Sequence, residues 1–338
     1  MNNSLSTISQ KFPAKKIVIV GDLVADQFLR GTIARVSREA PVFILRHDET
    51  ETLAGAAANA ASNVASLGGR AVLVGTVGKD PNGNALLEKL KASKVNCDFV
   101  ITSEKVQTTT KVRVLAGQHY APRQQVIRID YENKNESGEL QNEIKDNLLA
   151  AAGDADAIII SDYNYGVVGQ EIFRTAREIT ETKQIPLLID SRFRLKDFPQ
   201  ATTATPNQDE VEQILGKNFT ERDCVQLCKD LGYKALVVTR GNDGMLLIED
   251  GKSPVQIDAV GAKQPVDVTG AGDTVIAAYA LGLASGLSFT DSAKIANHAG
   301  GIVVMKRGTA SVSLDELRSS IEKNNGIEAN ADAADFRG

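Results

Sequence analysis

The chain has 338 residues, 42% hydrophobic and 24% charged, a mixture that supports a packed core and excludes extended disorder. Its 38 Lys+Arg against 43 Asp+Glu leave a formal net charge of −5, so no overall field draws it to nucleic acid or to an anionic membrane. Three cysteines, Cys97, Cys224 and Cys228, fit neither a CxxC pair nor zinc-ligand spacing and are expected as free thiols in a reducing compartment.

The first sixteen residues are polar and lack the apolar centre of a signal peptide. No apolar run reaches the roughly 20 residues that span a bilayer, so a soluble, cytoplasmic protein is expected. Buried strands are predicted at 17–20, 71–74, 157–160, 186–189, 235–238 and 245–248. Helix patterns lie between most of them, at 57–67, 82–91, 170–180, 220–231 and 274–284. Such alternation predicts an α/β domain whose mostly parallel sheet is covered on both faces. Residues 27–50 and 107–131 break the rhythm with β-type alternation and no helix between. They predict a small second sheet acting as a lid or an interface, with plain edge hairpins as the alternative. No 20–50-residue repeat occurs; residues 1–325 are expected as one domain and 326–338 as a flexible polar tail.

The densest chemical signal is Asp267-Val268-Thr269-Gly270-Ala271-Gly272-Asp273-Thr274, followed by small apolar residues. Small residues let backbone approach a ligand, and a helix starting there aims its N–H groups at the same spot, which suits a phosphate. Asp273, in the first helical turn, is placed to accept a proton from a hydroxyl. A strand–helix turn with an Asp cap is the alternative. A nicotinamide-cofactor loop is excluded, since the segment is GxGxxV and falls late in the chain.

The stretch DVTGAGDTVIAAYA resembles the C-terminal signature of the ribokinase-like (PfkB) carbohydrate kinases. That resemblance implies a ribokinase-like three-layer α/β/α domain with a small β-sheet lid. It implies ATP as phosphoryl donor, Mg²⁺, and room for a monovalent cation. By the same resemblance Asp273 is the catalytic base, and Gly270, Ala271 and Gly272 form the anion hole. Gly21-Asp22-Leu23-Val24-Ala25-Asp26 follows the first strand, where Asp26, with Asp22, is expected against sugar hydroxyls. Gly55-Ala56-Ala57-Ala58-Asn59 resembles the N-terminal signature, implying sugar contacts at Gly55 and Asn59; its usual second glycine is Ala56 here.

Asn207-Gln208-Asp209-Glu210 matches NxxE, which implies that Glu210 organises Mg²⁺ through water and that Asn207 lies at the nucleotide. The same spacing is a helix-capping pattern, and both roles can hold together. The resemblance places Thr239, Gly241 and Gly244 beside the nucleotide phosphates, although a hairpin turn between two strands also accounts for them. Asn297 falls at the adenine pocket, and His298 is expected as a satisfied helix residue. Phosphoryl transfer needs alignment and charge neutralisation, which this inventory supplies. A Walker A loop is absent, since Leu246 stands where its first glycine belongs.

Within this family the chain resembles the heptose-7-phosphate kinases of ADP-heptose synthesis, over about residues 15–315. The segments are Arg35-Val36-Ser37-Arg38-Glu39-Ala40-Pro41-Val42, the first helix from Asn59, and the lid strands around Lys111, Arg113 and Arg128. Three departures stand out. Tyr165 replaces a lysine expected to face phosphate, Asp190-Ser191-Arg192 replaces DPK, and residues 117–123 lengthen the lid hairpin, bringing His119 and Arg123. The histidines are His47, His119 and His298, so these residues hold no HxGH nucleotidyltransferase motif, and that activity would fall to a separate protein. The expected function is ATP-dependent phosphorylation of the anomeric hydroxyl of a heptose 7-phosphate. The phosphate-facing candidates are Lys111, Arg113, Arg128 and Arg192, with Tyr165 at the substrate. A homodimer through the lid is expected, since a small sheet with one apolar face needs cover. The alternatives are a kinase for another sugar or a nucleoside, or a catalytically silent sensor.

Overall fold

The computed structural model describes residues 2–118, 123–132, 140–261 and 264–335. His119 therefore lies outside the described residues. In chain order the elements open with helix α1 (Asn2–Lys11), β1 (Lys16–Gly21), β2 (Leu23–Val36), β3 (Phe43–Ala56), α2 (Ala57–Ser66), β4 (Arg70–Gly78) and α3 (Pro81–Ala92). Then come β5 (Asn96–Ser103), β6 (Thr109–Gly117), β7 (Gln124–Tyr131), α4 (Gln141–Ala151), β8 (Ala157–Asp162), α5 (Gln170–Lys183) and β9 (Leu187–Ser191). The C-terminal part holds β10 (Thr203–Ala204), α6 (Gln208–Leu215), α7 (Glu221–Asp230), β11 (Ala235–Thr239), β12 (Met245–Glu249) and β13 (Val255–Ile257). Helices α8 (Ala271–Ala284), α9 (Phe289–Val303) and α10 (Leu314–Asp335) close the chain, the last running into the polar end.

All six predicted strands form, in a nine-stranded sheet ordered β13-β12-β11-β10-β9-β8-β1-β4-β5. The pairs from β11 through to β5 are parallel, and β12 and β13 add an antiparallel edge. Strand β9 begins after Pro186, which lacks an N–H for the ladder yet lends its carbonyl to Ile158 N at 3.0 Å. Alternate side chains of β1 feed opposite cores. Ile17 and Ile19 pack with α2, α8 and α9, while Val18 and Val20 pack with α4, α5 and α7. Both faces are thus covered, which is why these strands are continuous apolar runs. Helix α8 is buried from Asp273 to Gly282 and occupies the middle of its layer. Among the described residues, no helix is long and apolar enough to cross a membrane.

The lid is a separate four-stranded sheet, ordered β3-β2-β6-β7. Strands β2 and β3 are 14 residues each, together reaching beyond the 27–50 segment whose alternation predicts them, and pair antiparallel with two bulges. Because β1 lies between β4 and β8, the strand order reverses at its carboxyl end, the place where open α/β sheets bind ligands. The lid springs from that point, and the loops after β8, β9, β10 and β11 converge on it.

Candidate active site

A cavity of about 790 Å³ opens at the carboxyl ends of the parallel strands, between them and the lid. Helix α8 enters it by its N-terminus. Gly270 caps the helix at φ 76°, ψ 10°, and a Cβ there would come within 2.5 Å of Asn59 Nδ2, so the motif needs glycine at this position. The first turn of a helix has no intrahelical carbonyls for its amides. Val268 O takes the Ala271 N–H at 3.2 Å, leaving those of Gly272 and Asp273 at the cavity, and nothing lies within 4 Å of where a Gly272 Cβ would stand.

Asp273 is buried, at 3% exposure, and both of its oxygens have donors. Asn59 Nδ2 donates to Oδ2 at 2.7 Å and the Tyr163 hydroxyl donates to Oδ1 at 3.2 Å. Asn63 Nδ2 donates to Asn59 Oδ1 at 3.1 Å, which turns the Asn59 amide so that its N–H₂ meets the carboxylate. Burial holds Asp273 well above the usual carboxylate range and Asp190 pushes the same way, while Asn59 and Tyr163 oppose them. Burial also raises the Tyr163 hydroxyl, so it stays protonated and donates.

The four predicted cations, Lys111, Arg113, Arg128 and Arg192, all line this cavity, as does Asp26. Asp26 on β2 pairs with Arg113 on β6 at 2.5 Å, and Arg128 grips Asp130 with two bonds of 2.6 and 2.7 Å. Three expectations need correction. Asp22 is not available to a sugar: its carboxylate accepts the backbone N–H groups of Tyr163 (2.8 Å), Tyr165 (3.0 Å) and Val167 (3.1 Å), fastening the loop after β8. Gly55 does not line the cavity but makes room for Asp26, whose Oδ2 lies 2.8 Å from where a Cβ would stand. Tyr165 also stays off the lining; its hydroxyl donates to Glu132 at 2.7 Å and its ring faces the Lys111 ammonium. Arg123 pairs with Asp48 at 2.6 Å, away from Asp273.

At the opposite end Asn207, Thr239, Gly241, Gly244 and Asn297 line the same cavity. The hairpin β11–β12 is real, and Gly244 is obligatory in it, with φ 78° and the Ile257 carbonyl 2.0 Å from any Cβ. Asn297 Nδ2 holds the Asp258 carbonyl at 2.7 Å, beside an apolar slot of Val260, Val275 and Val304 floored by Gly300 and Gly301. His298 is buried against Ser320 at 2.8 Å, as a satisfied helix residue.

Asn207 and Glu210 form a complete capping box, with reciprocal bonds of 2.9 Å. That capping uses only Oε2 of Glu210, whose carboxyl is pushed up to about 8 by burial and by Asp190. Asp190 is itself pushed up to about 7 by burial and by Asp162. Among the described residues no group of three or more His, Cys, Asp or Glu could hold a metal by itself. Sequence reasoning missed Asp190 and Tyr163 as site residues. Both stand at or just past the ends of parallel strands, the signal that could have singled them out.

A cavity at the switch point, a helix N-terminus with a buried carboxylate, and an apolar slot opposite a cationic end suit phosphoryl transfer from a nucleotide to a small acceptor. Residues 14–317 match the pfkB family carbohydrate kinases, and the chain belongs to that family. It is 37% identical over 320 residues to the bifunctional protein HldE of Hahella chejuensis, covering 93% of this chain and 65% of that protein. To HldE of Histophilus somni it is 38% identical over 323 residues, covering 93% and 65%. The chain thus spans about two-thirds of the length of these relatives. Among solved structures, Arabidopsis thaliana ribokinase complexed with ribose and ATP aligns with a TM-score of 0.66 at 22% identity, covering 91% of this chain and 97% of that one. Escherichia coli phosphofructokinase-2 in complex with potassium aligns at 0.71 and 19%, covering 90% and 97%. At these identities the two structures show the fold.

Proposed function

We propose that the chain transfers the γ-phosphoryl group of ATP to the anomeric hydroxyl of a heptose 7-phosphate. The carrying observation is one cavity in which the buried Asp273 carboxylate sits at the N-terminus of α8, between an apolar slot and four cations. In this reading the nucleotide base takes the slot beside Asn297, and its phosphates pass Thr239, Gly241 and Gly244. Asp273 orients the acceptor hydroxyl and takes its proton, while the amides of Gly272 and Asp273 face the charge that develops on the transferring group. Asp26 meets sugar hydroxyls from the lid side. The donor set suits a nucleotide-borne Mg²⁺, because Asp190 and Glu210 are close carboxylates whose raised pKa values a divalent cation would reverse. Bound there, the ion would supply charge neutralisation of the β- and γ-phosphates.

The test is ATP turnover against a panel of sugars, sugar phosphates and nucleosides. Asp273→Asn should fold, bind ATP and lose about 10²–10⁴-fold in kcat, the usual worth of a positioned general base. Activity within threefold of wild type would remove Asp273 from that role. Glu210→Gln should weaken the apparent Mg²⁺ dependence; a loss of thermal stability alone would leave it a cap. A second reading, a kinase for an uncharged sugar or a nucleoside, is favoured by Tyr165 where the resembling branch carries a lysine.

The lid supports a homodimer. Arg128 lines the cavity and Asp130 lies on the same face of β7, so Ile127, Ile129 and Tyr131 share the opposite face, where they are 53%, 41% and 47% exposed. A second copy pairing there would cover them; a monomer at micromolar concentration with full activity would exclude it. In this reading the protein works in the cytoplasm, and nucleotidyl transfer to its product falls outside these residues.

A further inference from the structure

In Asp190-Ser191-Arg192, which stands where the resembling branch carries DPK, the outer two residues line the cavity and the middle one does not. Ser191 is buried, and its hydroxyl donates to Asp162 Oδ2 at 2.7 Å while accepting the Arg194 backbone N–H at 3.1 Å. A proline side chain there would offer neither bond.

Asp162 ends β8 with its side chain fully buried. Arg194 matches its charge. Nη2 donates to Oδ1 and also to the Val168 carbonyl at 3.0 Å, Nε donates to Oδ2 at 3.2 Å, and the guanidinium rests on the Phe198 ring at 5.6 Å. Asn164 N donates to the same Oδ1 at 3.3 Å, and Arg192 N to the Asp162 carbonyl at 3.0 Å. One planar fork thus ties the loop after β8 to the loop after β9. A buried carboxylate is tolerated when it is paired, so without Arg194 the two loops would meet around an unmatched charge.

Each loop delivers groups to the reacting end. Tyr163 follows Asp162 directly and donates to Asp273 Oδ1 at 3.2 Å, while Asp190 and Arg192 flank Ser191. Asp22 fastens the first loop to the end of β1; the bonds of Arg194, Asp162 and Ser191 fix it against the second. Neither Asp162 nor Arg194 lines the cavity.

We propose that Arg194 is a positioning residue for phosphoryl transfer. Through Asp162 and Ser191 it sets the loops after β8 and β9 in one register, so that Tyr163, Asp190 and Arg192 reach the cavity together. The proposal rests on the kinase reading above and holds for any acceptor. Alignment carries much of a phosphoryl transfer, and a shift of about 1 Å in aligned groups costs on the order of 10²-fold in rate.

The experiment compares wild type, Arg194→Ala, Arg194→Lys and Ser191→Ala, well below the melting temperature of each. The acceptor is heptose 7-phosphate, or the sugar of the panel that is turned over fastest. Arg194→Ala should lower kcat about 10–100-fold with KM for ATP within threefold of wild type. Millimolar guanidinium, far below denaturing concentrations, should recover kcat severalfold, because the Arg194 side chain is 28% exposed and its place is reachable from solvent. Sodium chloride at the same concentration should not. Arg194→Lys should retain more activity than Arg194→Ala, since it keeps the charge without the fork. A lower melting temperature with kcat within threefold of wild type overturns the proposal, because Arg194 is then only structural. So does a loss confined to KM for ATP, or one that neither guanidinium nor lysine relieves. Where Arg194→Ala fails to fold, Ser191→Ala decides, since it leaves the ion pair in place. Its kcat should fall about three- to tenfold, the usual worth of one hydrogen bond, and an unchanged kcat overturns the proposal. Amide hydrogen exchange gives an arm independent of turnover. In Arg194→Ala the amides of Asn164 and Arg192 should exchange faster, while those of Tyr163, Tyr165 and Val167, held by Asp22, keep their protection. Unchanged exchange at Asn164 and Arg192 overturns the tie. If wild type phosphorylates nothing on the panel while this arm succeeds, the kinase reading fails and the tie between the loops stands.

Discussion

Tyr163 and Asp190 act on Asp273 with opposite sign, and that opposition can be measured. Tyr163→Phe deletes the hydroxyl that donates to Asp273 Oδ1 over 3.2 Å. A hydrogen bond to a charged group contributes about 1.5–3 kcal/mol, and one longer than the usual O–H···O falls at the lower end. At 1.36 kcal/mol per pKa unit, losing about 1.5 kcal/mol raises the Asp273 pKa by about one unit. The sign follows from the donor's preference for the carboxylate: without it, the proton stays on Asp273 to higher pH. In the proposed reaction Asp273 must be unprotonated to receive the acceptor's proton, so the acid limb of kcat/KM should move up by about one unit, with the rate recovering at higher pH. Asp190→Asn removes a like charge, which should move the same limb down. The assay is ADP release from pH 5 to 9 at saturating acceptor and Mg²⁺-ATP well below its KM, so that the limb of kcat/KM for ATP reports the protein before the metal-bound nucleotide enters. An unmoved limb in both variants, or limbs moving in the same direction, would refute this account of how Asp273 is tuned.

Asp22→Asn should cost about 1–3 kcal/mol in denaturant unfolding, because an amide N–H₂ then faces backbone donors that the carboxylate accepted; unchanged stability would show that the loop after β8 does not depend on it. Ala56 stands at φ 54°, ψ −132°, where only glycine is unstrained. Ala56→Gly should therefore stabilise by about 0.5–2 kcal/mol, strain relief exceeding glycine's extra unfolded-state entropy, and a loss of stability would contradict that. His298 is lowered by burial to about 4, so below pH 6.5 the unfolded chain takes a proton that the fold refuses. Its contribution should decline by about 3 kcal/mol as pH falls from 6.5 towards 4. His298→Gln should flatten that decline in pH-resolved thermal melts relative to wild type, and a parallel profile would refute it.

Local pattern was enough wherever chemistry and structure are local. The continuous apolar runs of β1, β8 and β11 announce strands buried on both faces, and Gly270–Asp273 announces the helix start that carries a buried carboxylate at the cavity. The Asn207–Glu210 spacing announces its capping box. Elements with weak or short signals escaped: β10 is two residues, β5 is half exposed, and α1 is a polar helix anchored by Ile8 and the following Phe12. What no local pattern contains is which distant residues meet. Tyr163 reaches Asp273 across 110 positions and Arg113 reaches Asp26 across 87, because β8, β1 and the lid strands converge at one end of the sheet. The same convergence turned Asp22 from a sugar contact into a clamp on the loop after β8. Side-chain identity determined that carboxylates and cations would be used. Strand order and register decided which of them are paired to each other and which remain open to a ligand, since burial and partner distance exist only once the chain is folded.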